Sequence, residues 1–260
     1  MNKNSSPVRL GVVSRVANFL LAGGALLLLA ASLRAQTPAD STFTAGRGDW
    51  LDDINWSGGS YPGRNTAATV DGAVVRLNAH GLSEPFVIKS LTLINGADVE
   101  LRNVRLHADT IASTNSFLRI FSSHLIVGTF RDPGFGSFNL NPSLLEARRF
   151  ELVESNLTAS FGLGGTNPAS ATALGAGNYA RVVTDTAHLD GHLEVQFLYD
   201  FAPQAGQQFK IIEVTSTNLT VPGLTGTFLN APEGALVTRY NNLGLYLTYV
   251  GGDGNDVVLT

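Results

Sequence analysis

The chain has 260 residues, a formal net charge of −4, only 15% charged residues and no cysteine. The acidic balance disfavours nucleic acid and anionic membranes, since both attract a positive face, and the lack of cysteine excludes disulfides and thiolate metal sites. Gly, Thr, Ser, Asn, Val and Leu are abundant, a mix that suits short strands joined by tight turns better than long amphipathic helices.

Residues 1–35 read as an export signal. Lys3, Arg9 and Arg15 form a basic start, residues 16–33 are uncharged and apolar, and Leu33-Arg34-Ala35 ends on a small residue before Gln36. Basic start, apolar middle and small-residue exit describe a cleavable secretory peptide. An uncleaved anchor is the other reading, because the uncharged run just reaches spanning length; Gly23, Gly24 and Ala35 favour cleavage. Cleavage removes Lys3, Arg9, Arg15 and Arg34 and takes the net charge from −4 to −8. The remaining chain is expected to hold no membrane span and to reside in the periplasm, on the cell surface or outside the cell.

Residues 36–69 are expected to form an N-terminal loop or cap. They carry Trp50, Asn55-Trp56, Gly58-Gly59 and Tyr61-Pro62-Gly63. Trp50, Trp56 or Tyr61 would stack on sugar rings if exposed; plugging the end of a solenoid is the preferred reading, because an uncovered end is sticky. Asp49, Asp52 and Asp53 lie beside these aromatics. Paired carboxylates with aromatics suit glycoside chemistry, although a solvated loop is the plainer reading.

Residues 70–160 show period-2 apolar pairs: Leu91/Leu93, Val99/Leu101, Val104/Leu106, Leu118/Ile120, Leu125/Val127 and Phe150/Leu152. Each pair places two apolar side chains on one strand face. Asn95-Gly96, Asn103, Asn115 and Ser122-Ser123 fall between them as turn residues. Leu91, Ile111, Phe130 and Phe150 follow at intervals of 20, 19 and 20; Leu101, Ile120 and Leu140 at 19 and 20; Leu106, Leu125 and Leu145 at 19 and 20. Three interleaved columns with one period predict a three-sided parallel β-helix of about 19–20 residues per coil, with these ten residues inward. An antiparallel β-sandwich with strands every ten residues is the alternative.

Residues 161–178, rich in Gly, Ala and Ser, are expected to link the coils to a C-terminal β module over 179–260. That module has longer runs at 179–184, 192–201, 208–215, 243–250 and 257–260, with Asp190-Gly191 and 203–206 as turns that suit antiparallel hairpins. Residues 251–259 match a calcium nonapeptide, making Asp253 and Asp256 the calcium candidates. The motif occurs once and reads first as a Gly-rich turn, 251–256, feeding a paired final strand, so no cofactor is expected. His188, Asp190 and His192 alternate, as ligands on one strand face would, but the Asp190-Gly191 turn breaks the alternation.

Two stretches carry a resemblance. Gly48-Asp49-Trp50, Asn55-Trp56-Ser57-Gly58-Gly59 and Tyr61-Pro62-Gly63 resemble the opening of exported bacterial proteins with autotransporter-associated β-strand repeats. The segments 178–183, 189–195, 201–203, 206–212, 226–228 and 249–259 are similar to the closing module of such proteins. The resemblance implies an exported, right-handed β-helix of the surface or adhesin-like kind and transfers no catalytic residue. The chain lacks the outer-membrane barrel of a complete autotransporter, so secretion by that route in cis is not expected.

The expected function is therefore that of a non-enzymatic structural or adhesin-like extracellular protein, with an extracellular glycan or cell-surface component as partner. The alternative is a carbohydrate-binding or polysaccharide-degrading β-helix. For that alternative the best outward cluster is Glu100, Arg102, Arg105, His107 and Arg119, where positive groups would meet an anionic glycan. No matching catalytic acid or base accompanies it.

Overall fold

Short alternating runs become strands here because turn residues separate them. Asn95, Asn103, Asn115 and Ser122 have φ of 57°, 52°, 50° and 47°, left-handed backbone that Asn tolerates better than most residues with side chains. The computed structural model describes residues 40–82, 84–132, 134–216 and 223–260; the expected export segment lies outside them.

Strands β1 (Ser41–Thr42) and β2 (Arg47–Asp49) precede a 3₁₀ turn at Asp53–Asn55. Next come β3 (Ala67–Asp71), β4 (Val74–Asn78), β5 (Phe86–Val87), β6 (Ser90–Ile94) and β7 (Asp98–Arg102). Long and shorter strands then alternate: β8 (Arg105–Ser113), β9 (Ser116–Phe121), β10 (His124–Asp132), β11 (Gly136–Asn141), β12 (Leu144–Leu152) and β13 (Leu157–Leu163). After β14 (Asn167–Pro168) and β15 (Asn178–Tyr179) follow β16 (Arg181–Leu189), β17 (His192–Phe197), β18 (Phe209–Val214) and β19 (Leu224–Gly226). The chain closes with β20 (Leu236–Tyr240), β21 (Leu243–Gly251) and β22 (Asp256–Leu259).

These strands form two sheets. The first has the order β1-β3-β6-β8-β10-β12-β16-β18-β22-β21-β20, and the second runs β2-β4-β7-β9-β11-β13, with β17 on β13. Pairing is parallel along the first sheet as far as β18 and along the second from β2 to β17. The chain thus visits the other sheet between partners. Such an all-β ladder is compatible with a parallel β-helix, and its pairing is not that of an antiparallel sandwich.

The expected columns are register partners. Leu91 pairs with Ile111, Ile111 with Phe130 and Phe130 with Phe150. Leu101 pairs with Ile120 and Ile120 with Leu140; Leu106 pairs with Leu125 and Leu125 with Leu145. Every one of these ten side chains is at most 1% exposed. The core is further locked by aromatic contacts: Phe130 lies 4.7 Å from Phe138 and 5.3 Å from Phe150, centroid to centroid. Serines tie successive turns, since Ser123 Oγ accepts from the Val104 amide and Ser143 Oγ from the Ser123 amide, both at 3.0 Å.

Two of the columns share one sheet, because β8, β10 and β12 are nine-residue strands that carry both. Alternation slips once along each. Asp109-Thr110 and Arg148-Arg149 both face outward in succession, so the apolar phase resumes one residue late at Ile111 and Phe150.

The stretch expected as a linker is folded into the body. Phe161 and Leu163 are fully buried at the end of β13, Leu163 pairs with Tyr179, and Ala169 is buried. Its glycines serve close approach: a Cβ on Gly165 would come within 2.0 Å of the Gly177 carbonyl carbon. The described residues belong to one compact unit, with no boundary at 161–178. Asp190-Gly191 also departs from expectation. It is a corner between sheets and not a hairpin, because β17 pairs parallel with β13. Among the described residues after β15, antiparallel strand pairing is confined to β18, β22, β21 and β20. Among the described residues no helix is long and apolar enough to cross a membrane.

One carboxylate faces the core. Asp132 lies on the inward side of β10, paired in register with Leu152, and is fully buried. Neither of its carboxylate oxygens has a hydrogen-bond partner among the described residues. Burial raises its pKa to about 7, against smaller lowering effects of the Gly134 backbone and the Ser113 hydroxyl.

Candidate functional site

The sequence-derived candidates are dispersed. Asp256 is buried: its Oδ1 accepts from the Val214 amide at 2.9 Å and its Oδ2 pairs with Lys210 Nζ at 2.7 Å. An ammonium group thus already neutralises this carboxylate, while Asp253 is exposed in the turn. Among the described residues no three His, Cys, Asp or Glu side chains gather as a metal site. The glycines do form the turn into β22, which pairs with both β21 and β18.

His188 bonds Thr225 Oγ1 at 3.0 Å, Asp190 Oδ1 accepts from the Gly191 amide at 2.7 Å, and His192 lies beyond the corner. Asp49 and Asp53 accept backbone amides of Leu51 and Tyr61, as structural turn residues do. Trp50 and Trp56 are buried at 1% and 3% exposure, with centroids 4.7 Å apart. Phe43 and Phe86 pack edge-on against them. Two indoles so enclosed act as core, leaving exposed Tyr61 as the accessible ring of the three.

The outward charge cluster divides between the sheets. Glu100, Arg102 and Arg119 belong to the second sheet, where Arg102 pairs with Glu100 at 2.6 Å and lies over the Phe121 ring, and Arg119 pairs with Asp98. Arg105 and His107 belong to β8 in the first sheet. The cationic groups of the second-sheet trio are therefore already occupied.

A different feature appears where the long strands slip phase. Two cavities of about 230 and 370 Å³ adjoin on the outer face of the first sheet and share Ile126, Val127 and Arg148. Ala108, Val127, Ala147 and Thr184 form the buried floor, at 8%, 3%, 8% and 1% exposure. Along it run Asp109, Gly128, Arg148 and Asp185, each at the ladder position between register partners on either side. Gly128 admits no side chain: a Cβ there would sit 2.5 Å from the Asp109 carbonyl oxygen and 3.3 Å from Arg148 Nη2. The guanidinium therefore lies over the gap that glycine leaves.

Ile126 is 38% exposed beside this row, with His107 and Glu146 at the same ladder position on the neighbouring strands. Glu146 Oε1 is held by His124 Nε2 at 2.9 Å, and Asp185 Oδ1 accepts from Thr215 Oγ1 at 3.0 Å. Among the described residues, neither Arg148 nor the Asp109 side chain makes a hydrogen bond or ion pair. The groove offers an open donor, an open acceptor and an apolar contact. Asp109 and Asp185 are three ladder steps apart, about 14 Å between backbones, wider than the roughly 5–9.5 Å of paired glycosidase carboxylates.

Sequence reading reached only His107 of this groove. A signal was present: Ala108-Asp109-Thr110-Ile111, Val127-Gly128-Thr129-Phe130, Ala147-Arg148-Arg149-Phe150 and Thr184-Asp185-Thr186-Ala187 all break alternation by two residues between small or apolar ones. No protein family, curated protein or solved structure matches the chain.

Proposed function

We propose that this chain is an exported, non-enzymatic, adhesin-like or structural surface protein built on a right-handed, three-sided β-helix. The observation that carries the reading is the parallel ladder of β3 to β13, continued by β16 and β17, whose core is apolar columns in register. Parallel connections within one sheet are almost always right-handed, and the phase slip along β8 and β12 divides each long strand into two sides. The basic-apolar start over residues 1–35 supports export. Resemblance to proteins with autotransporter-associated repeats supports a surface role.

The outward polar groups suit display over chemistry. On the second sheet Arg102 and Glu100, and Arg119 and Asp98, neutralise one another, and those of the groove are spread along the ladder. The test is expression of the full chain in a bacterium with two membranes, followed by fractionation, protease shaving of intact cells and adhesion of chain-coated beads to cells. Export with bead adhesion is expected. Retention in the cytoplasm, or depolymerisation of any polysaccharide by the purified chain, would overturn the reading.

A further inference from the structure

We infer that the groove over Asp109, Gly128, Arg148 and Asp185 binds a neutral, hydroxyl-rich glycan chain lying along the ladder. The inference rests on the adhesive reading above and names its ligand class. Three observations select that class. First, the groove lies on the face of β8, β10, β12 and β16, whose backbones are paired on both sides. An extended peptide finds no free edge there, so recognition falls to side chains. Second, charge alternates along the row: Asp109, then Arg148 over Gly128, then Asp185. A polyanion meets two carboxylates for one guanidinium, and a polycation meets the guanidinium. A sugar hydroxyl both donates and accepts, and so satisfies either group. Third, Ile126 and the small floor residues present apolar surface to the C–H face of a sugar ring.

Length follows from the ladder. Asp109 and Asp185, the two ends of the row, are three strands apart, about 14 Å between backbones, so one ligand that spans the row must be longer than a monosaccharide. Arg148 supplies donors to vicinal hydroxyls and Asp109 accepts from the next sugar along. Asp185, held by Thr215, bounds the row at its far end.

Affinity electrophoresis of the full chain through gels containing neutral polysaccharides (dextran, xyloglucan, glucomannan, xylan) tests this, with polygalacturonate and chitosan as charged counterparts. Retardation by at least one neutral polymer is expected, competed by its hexasaccharide and not by its monosaccharide. Raising salt from about 0.05 M to about 0.5 M should leave the retardation unchanged, because a neutral ligand has no charge to screen. Arg148→Ala and Asp109→Asn should each weaken binding at least about tenfold, the usual loss for a hydrogen bond to a charged group. Arg239→Ala, on exposed β20, should have no effect.

Retardation confined to the charged polymers, absence of retardation by every neutral polymer, or binding indifferent to both groove variants would overturn the inference. Bead adhesion that survives Arg148→Ala would remove the groove and leave the adhesive reading standing. A fall in polymer viscosity, with binding intact, would do the reverse.

Discussion

The parallel ladder and the closing strands solve the same backbone problem by different means. Strands β3, β4, β6 to β13 and β16 have neighbours on both sides, so amides and carbonyls are satisfied by the ladder itself and side chains are left to fill columns. After β18, with β19 still parallel to β16, the chain turns antiparallel, and side chains take over bonds that the ladder no longer supplies. Tyr249 Oη accepts from the Phe228 amide at 2.9 Å and donates to the Ala231 carbonyl at 2.6 Å. Asn230 brackets Leu193, accepting from its amide at 2.8 Å and donating to its carbonyl at 2.9 Å. Glu233 Oε2 accepts from the Tyr249 amide, and Asp256 Oδ1 from the Val214 amide. A sheet edge left open is a template for aggregation. Repetition builds the ladder, whereas particular polar residues end it.

This contrast predicts where substitutions hurt most. Ile120→Asp puts an unpaired charge at the centre of a column flanked by Leu101 and Leu140. It should cost about 5 kcal/mol or abolish folding, read by urea denaturation. A loss below about 1 kcal/mol would mean that the columns do not carry the ladder.

Asp132 is the ladder's own exception and gives it a pH dependence. Its folded pKa is raised from 3.8 to about 7, so between these values the folded chain holds a proton that the unfolded chain has lost. Its contribution is therefore favourable at acid pH, declines as pH rises from 3.8 to about 7, and is level above. The full swing is about 4 kcal/mol at 1.36 kcal/mol per pKa unit. Asp132→Asn should flatten melting temperature against pH and raise it at alkaline pH. An unchanged slope in that variant would assign the dependence elsewhere.

In the closing region the largest effect belongs to Asp256→Ala. It strands the Val214 amide and removes the nearer carboxylate partner of Lys210, leaving Glu213 at 3.7 Å, at a cost of about 3 kcal/mol. Melting of the unmodified chain should be the same with chelator as with millimolar calcium; a large rise with calcium, lost in Asp256→Ala, would make this turn an ion site. Tyr249→Phe should cost about 1–2 kcal/mol by leaving the Phe228 amide and Ala231 carbonyl without their partner. Calorimetry of the two variants ranks these locks against the ladder. If Tyr249→Phe proved as damaging as Ile120→Asp, closure and not repetition would limit stability.

Burial writes itself into sequence because every strand must meet it locally. Leu91, Ile111, Phe130 and Phe150 were legible as a column from their spacing, and the glycines of 251–254 were legible as a turn before a final strand. Residues 161–178 misled, because Gly and Ser content looks alike whether it gives freedom or lets two backbones approach, as at Gly165 and Gly177. Tertiary structure alone decided which outward residues became neighbours. Arg148 and Asp185 become ladder neighbours only because 164–180 leaves the ladder after β13 and returns at β16, and Lys210 reaches Asp256 only once β22 returns beside β18. An apolar side chain is placed by its own need to leave water, whereas a polar neighbour is placed by the register between strands, which chain closure sets.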